Sequence, residues 1–372
     1  MVYFITIFIA FCFVIRVKTY VPIMKWNGKK MKISIQGMQN VLLLVLSAFP
    51  LFFLSAFRYG IGTDYFYTYY PHFLHIASGN KDDFYEVGFF WINKVVTWFS
   101  KNPQSIFIVT SFLFVVLVYR SMYRLSHNLQ MSMILFILSY TYFTSLNNVR
   151  QSLASAVILL ALDALSNDKV KGAIILTVTA GLIHQVAFLF MLLIILRKYK
   201  LSPRLLSMMS ILAFCIVKAL GALLIVIIKY INVPRLATYF EYSNLAIYLG
   251  KTLSIVDIFI NFALMSIIIY LEMQNKKIKT INMIQWNVIK WSQFFCICIC
   301  AFDGIVPATY RILRVFSFMQ FILVPNILNE EQKKIRRIVL YVIVIILYMT
   351  LFLHKFCNGE EGIFPYVSIW NQ

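Results

Sequence analysis

Acidic residues are scarce in this chain. Only 14 Asp and Glu occur in 372 residues, and charged residues of every kind amount to 13%. A soluble surface needs about a quarter of its residues charged, so a soluble globular protein is excluded. No acidic pair stands at metal-ligand spacing, so nothing in the sequence calls for a metal, and no cofactor is expected. Cysteine chemistry is missing as well. Cys296, Cys298 and Cys300 alternate inside an apolar run with no histidine nearby. On a helix they do not converge on a point, so they are core residues rather than zinc ligands. There is no low-complexity tract and no internal repeat, and the length leaves no room for a separate soluble domain beside a membrane bundle.

What remains is apolar. The chain is 61% hydrophobic, with a mean hydropathy of +0.80, and the bilayer is the solvent for nearly all of it. The fold class is all-α, a polytopic membrane helix bundle forming a single integral domain over 1–372. Apolar segments fall at 2–17, 38–57, 104–120, 131–147, 151–166, 172–196, 205–229, 252–271, 288–303, 311–328 and 338–353. The first lacks a small-residue cleavage site and is expected to be a span, not a removed signal.

The net charge of +20 would suggest nucleic acid in a soluble protein. Here it reads as basic residues crowding cytoplasmic loops and facing anionic lipid, so no nucleic-acid partner is expected. Arg16, Lys18, Lys25, Lys29, Lys30 and Lys32 place the first loop inside, and segment 58–103 then lies outside. Segment 172–196 decides the rest. If it crosses once, the basic residues divide almost evenly between the two faces. If it enters and turns back, about twice as many lie inside as outside, as the positive-inside tendency demands. The expectation is therefore about ten crossings, both termini outside, and a broken or re-entrant hairpin at 172–196 with His184 near its tip.

Ionisable groups in or beside membrane segments are functional candidates. On the expected outer face these are Arg58, Asp64, Glu86, Arg150, His184, Arg311 and Arg314. Each has a plainer role open to it. Arg58 and Arg150 sit at span ends, where arginine snorkels. Asp64 can cap the turn in Gly60-Ile61-Gly62-Thr63-Asp64. Arg311 and Arg314, at i, i+3 spacing, can pair with Asp303. A lone histidine is more often structural than catalytic. Taken together, arginines and a histidine with few carboxylates make an anion site, and a lipid diphosphate is the natural anion at that depth. Histidine can serve as a general base near neutral pH.

The run Arg58-Tyr59-Gly60-Ile61-Gly62-Thr63-Asp64-Tyr65, with Tyr67 and Tyr70 following, resembles the external motif of the EpsG-type branch of Wzy-like polysaccharide polymerases. Glu86-Val87-Gly88-Phe89-Phe90, Asn148-Val149-Arg150-Gln151-Ser152-Leu153-Ala154 and Leu182-Ile183-His184-Gln185-Val186-Ala187 resemble later blocks of the same family, with Val186 where serine is common. Arg311, Arg314 and Pro365-Tyr366 follow in similar order. Each block alone is weak; their order covers most of the chain.

The resemblance implies a membrane glycosyltransferase of GT-C-like architecture, related to the O-antigen ligases, in a bacterial cytoplasmic membrane. It would polymerise undecaprenyl-diphosphate-linked oligosaccharide repeat units into capsular or exopolysaccharide outside the membrane. Its partners would be a lipid-linked donor and acceptor and membrane lipids, with a flippase and a chain-length regulator beside it. Under that reading Arg150, Arg311 and Arg314 hold the diphosphate, and His184 or Asp64 takes the acceptor proton. Arg58, Glu86 and Tyr67 shape the loop or bind sugar. The alternatives are a lipid-linked glycan ligase, a transporter or flippase of lipid-linked sugars, which predicts paired repeats and mid-membrane charges, and a membrane acyltransferase using His184.

Overall fold

The computed structural model describes the chain apart from residues 19, 23, 28–29, 222, 224–252, 275–279, 307 and 371–372. The expected outer segment 231–250, the end of the expected span 205–229 and the basic positions 276, 277 and 279 lie outside the described residues. Among the described residues the regular structure is helical except for one antiparallel pair of short strands, Met24–Asn27 with Lys30–Ile33. It packs as two compact units, 1–188 with 352–372, and 189–351.

The first unit contains α1 (Val2–Val14), α2 (Ile35–Ala56), a π-helical turn (Tyr65–Tyr69), α3 (Tyr70–Ala77), α4 (Val87–Phe99), α5 (Gln104–Leu125), α6 (Leu129–Leu138), α7 (Thr141–Asn147), α8 (Val149–Ser166) and α9 (Val170–Ile183). α2, α5 and α8 are long and apolar enough to cross a membrane. α1 packs on α2, α2 on α5, α5 on α8 and α8 on α9. α8 lies at the centre, with nearly all its residues buried. It has little polar surface because other helices, not water or lipid, surround it. Small residues set the α8–α9 approach: a Cβ built on Gly172 would lie 3.8 Å from the Cβ of Ala164, the kind of contact on which helix association in lipid rests.

The second unit holds α10 (Met191–Leu196), α11 (Pro203–Ala219), α12 (Ile255–Gln274), α13 (Met283–Ala301), α14 (Thr309–Ser317), α15 (Gln320–Leu328) and most of α16 (Lys334–Cys357). Its interior is tied by polar contacts. Gln320 bonds Asn261, Gln293 and Tyr348, all buried. Lys290 pairs with Glu272 at 2.8 Å and donates to the Leu201 carbonyl. Where water is excluded, such groups must be satisfied within the protein.

Among the described residues five helices are long and apolar enough to span, or seven if each bent pair counts as one. The bent pairs are α6–α7 at 49° and α14–α15 at 45°, in the segments expected as single spans 131–147 and 311–328. The first bend has a visible cause: Tyr140 takes a left-handed conformation, φ 64°, which a continuous helix does not tolerate. The difference from about ten crossings arises in the short α1, in the polar α13 and in segment 205–229, whose end lies outside the described residues. α1 has 13 residues, and a perpendicular span needs about 20. α13 carries Asn287, Lys290 and Gln293 on its buried face. Lys290, within the expected apolar segment 288–303, is inside that helix. Segment 58–103, expected simply as an outer stretch, contains three helical elements.

Candidate active site

The loop after α2 is folded by glycine. Gly60 and Gly62 have φ of +63° and +90°, and a Cβ on Gly62 would meet Asn147 at 3.0 Å. The chain's last residues tie this loop down. Tyr59 N–H donates to Val367, Ile369 N–H to Phe57 and Gly62 N–H to Gly362. Asn147 joins the two: its Oδ1 accepts from Asp64 N–H at 2.9 Å, and its Nδ2 donates to Glu361 at 2.7 Å, as does Asn148. Asp64 is half-buried and precedes the π-helical turn. That turn carries Tyr67 on the surface, 86% exposed.

Three helix ends meet beyond this loop. Glu86 is the N-cap of α4, Arg150 lies in the first turn of α8, and His184 ends α9 in extended conformation. Glu86 bridges the other two. Its Oε2 accepts from Arg150 Nη1 at 2.8 Å, and its Oε1 meets His184 Nδ1 at 3.1 Å. All three side chains are nearly enclosed. A carboxylate at a helix N-terminus is favoured by the helix dipole. The Arg150 guanidinium lies 4.8 Å and 5.0 Å from the ring centres of Phe84 and Tyr85, and its main-chain N–H donates to Tyr69 Oη.

Gly88 allows this meeting. A Cβ there would stand 2.8 Å from the main-chain carbon and oxygen of Leu182, so α4 and α9 touch backbone to backbone just beside Glu86 and His184. After His184 the chain enters a 3-10 turn, Gln185–Phe190. The Phe188 ring lies over Gly181, where a Cβ would approach it to 2.5 Å. The segment 172–196 is thus broken at His184.

Burial alone would raise the Glu86 carboxyl. The hydrogen bond from His184 and the charges of Arg150 and His184 outweigh it, holding the group down to about 2. A carboxyl depressed from its ordinary 4.5 contributes stability in full above about 4.5 and loses it as pH falls through about 2. Thermal unfolding against pH is therefore expected to show an acid limb in the wild type that Glu86→Gln lacks. Equal limbs in both proteins would assign it to other carboxylates.

A second pair lies next door and was not foreseen. His72 Nδ1 is 2.6 Å from Asp82 Oδ2, and Asp82 Oδ1 accepts from Phe84 N–H at 2.9 Å. The His72 ring stacks on Phe84 at 4.3 Å. These residues, with His75, Lys81 and Asp83, line an open pocket of about 460 Å³. Phe84 is common to both groups, touching His72 and Arg150. The available signal was the i, i+3 pair His72 and His75, followed closely by Asp82-Asp83. Glu361 was missed as well; it lies more than 200 residues from Asn147 and Asn148, the residues it meets.

The other expected residues sit elsewhere. Arg58 is 1% exposed and folded inward; it does not snorkel. Burial pushes its guanidinium down to about 10, with Tyr65 and Tyr142 acting in the opposite sense, so it stays charged at neutral pH. Arg311 and Arg314 belong to the second unit. Both lie against the Tyr310 ring, at 5.7 Å and 5.2 Å. Among the described residues no group of three or more His, Cys, Asp or Glu is arranged to hold a metal ion.

Set against known proteins, residues 41–368 match the family model described as the EpsG family. No curated protein and no solved structure matches the chain.

Proposed function

The chain belongs to the EpsG family, a family of polysaccharide-polymerase-like membrane proteins, and from that premise we propose that it joins undecaprenyl-diphosphate-linked repeat units into capsular or exopolysaccharide on the outer face of a bacterial cytoplasmic membrane. The observation that carries this reading is the Glu86–Arg150–His184 cluster, in which three separate sequence blocks supply one residue each.

In the proposed reaction the acceptor sugar hydroxyl attacks the anomeric carbon of the donor chain. A C–O bond forms, the bond from that carbon to the diphosphate oxygen breaks, and undecaprenyl diphosphate leaves with the electron pair. A carboxylate accepts hydrogen bonds and does not donate them, so an ionised Glu86 fixes the His184 proton on Nδ1. Nε2 is then the basic atom for the acceptor proton. Arg150, Arg311 and Arg314 are assigned to the diphosphate, where charge grows in the transition state. Asp64 is the second candidate base. The pocket beside Phe84 has room for one or two sugar rings and is assigned to the acceptor, with exposed Tyr67 as a stacking surface.

The same reading has about ten crossings in a GT-C-like bundle, a hairpin turn at His184 and both termini outside. A ligase would use the same residues and differ in product, and a transporter would make none. In cells lacking the protein, a glycan ladder is expected to collapse to single lipid-linked units and to return on complementation. An unchanged ladder in the deletion would end the polymerase reading, and transfer of finished glycan without a ladder would favour the ligase.

A further inference from the structure

A helix that faces water turns its apolar side inward. α4 does the reverse. Val87, Trp91, Val95 and Trp98 recur on one face of it and are between 40% and 65% exposed. On the opposite side the polar Asn93 and Thr97 are 1% and 4% exposed. Both bond within the helix, to the carbonyls of Phe89 and Lys94. Contiguous exposed apolar surface marks contact with another protein or with lipid, and tryptophan is enriched where a membrane meets water.

Both ends of α4 lie at the same end of the first unit. Glu86, just before its first turn, meets Arg150 at the start of α8. Just beyond its last turn, Gln104 begins α5 and donates to the Ala56 and Arg58 carbonyls, where α2 stops. Tyr69 touches both places: its Oη accepts from Arg150 N–H, and its ring centre is 6.1 Å from that of Phe107 in α5. With 13 residues α4 is about 20 Å long, too short for a hydrocarbon core of about 30 Å. It therefore runs across the end of the helix bundle and not through the membrane. Its neighbours are apolar outside as well. α5, long enough to span, exposes Phe112 and Val116, and α9 exposes Val178 and Leu182 beside the Gly88 contact.

We propose that α4 is an interfacial helix. It lies along the membrane surface on the cluster's side, with Val87, Trp91, Val95 and Trp98 set into the boundary between headgroups and acyl chains. The partner of this face is the lipid surface. Glu86 caps α4, so Glu86, Arg150 and His184 stand at headgroup depth, where the polar head of an amphiphile reaches them without leaving the bilayer. This holds whatever reaction the protein performs.

The test uses the full chain in lipid bilayers, its 6 cysteines replaced, with one spin label at a time placed by Val87→Cys, Trp91→Cys, Val95→Cys or Trp98→Cys. Collisions with oxygen, which concentrates in lipid, are compared with collisions with a water-soluble nickel chelate. Expected at all four sites is a preference for oxygen, at depths of about 5–10 Å that differ by no more than one helical turn, about 5 Å. Easier access for the chelate would show a wet face, and exclusion of both reagents would show a protein partner or a second copy; either overturns the proposal. A depth that grows from Val87 to Trp98 by the length of the helix would overturn the surface orientation. A second measurement keeps the native cysteines. Trp91→Phe with Trp98→Phe should reduce the share of tryptophan emission quenched by lipids brominated near the headgroup, and an unchanged share would also overturn the proposal.

Discussion

His184→Ala protein, inserted at the wild-type level, is expected to lengthen glycan at least about 100-fold more slowly, the usual lower bound for losing a positioned general base. His184 meets Glu86 at 3.1 Å, and that contact fixes which nitrogen is basic. Loss of the base should therefore slow the chemical step while donor binding survives. Glu86→Gln should be intermediate. It keeps the shape but leaves the Arg150 guanidinium buried without its counter-charge, and a neutral amide sets the imidazole tautomer less firmly. The measurement is chain elongation on lipid-linked substrate across pH, with the variants quantified in the membrane. Normal elongation by His184→Ala would end the assignment and turn attention to Asp64 and His72.

The second large effect is expected from adding a single methyl group. Gly88→Ala puts a carbon 2.8 Å from the main chain of Leu182. Main-chain atoms cannot rotate away, so α4 must move relative to α9. Overpacking of this kind costs about 1–3 kcal/mol. The geometric cost is larger, because Glu86 and His184 flank the contact, and a displacement near 1 Å in a reacting group lowers rates about 100-fold. Gly172→Ala is the control. Its added carbon would sit 3.8 Å from Ala164, an ordinary contact, and alanine favours the helix over glycine by up to roughly 1 kcal/mol. Wild-type elongation and stability in Gly88→Ala would show that the α4–α9 contact does not position the site.

The pieces of this site could be read in the sequence; their assembly could not. Arg150 and His184 stand out because ionisable groups are rare in apolar segments. Glu86 stood out for the same reason, yet it was expected only to shape the loop or bind sugar. What gives it a central place is contact with residues 64 and 98 positions away, and no local pattern reports such distances. The α6–α7 bend escaped notice because an apolar window carries no sign of one tyrosine in a left-handed conformation. His72 and Asp82 were overlooked because polar residues in a presumed loop are ordinary. Their pairing appears only once α3 and the turn before α4 are folded together. Membrane character, helical class and family, by contrast, follow from composition and from motif order, which survive without any knowledge of contacts.

The ties between the Arg58–Asp64 loop and the chain's far end have a consequence in time. Tyr366 reaches back to Leu54 across 312 residues, and Glu361 meets Asn147 and Asn148 across more than half the sequence. A ribosome delivers the loop first and its fastenings last. While the intervening helices enter the membrane one after another, Asp64 and its neighbours can be held by Asn147 and Gln104 but not yet by residues 362–369. An unfinished chain stalled in the membrane would carry every catalytic candidate and still lack the latch.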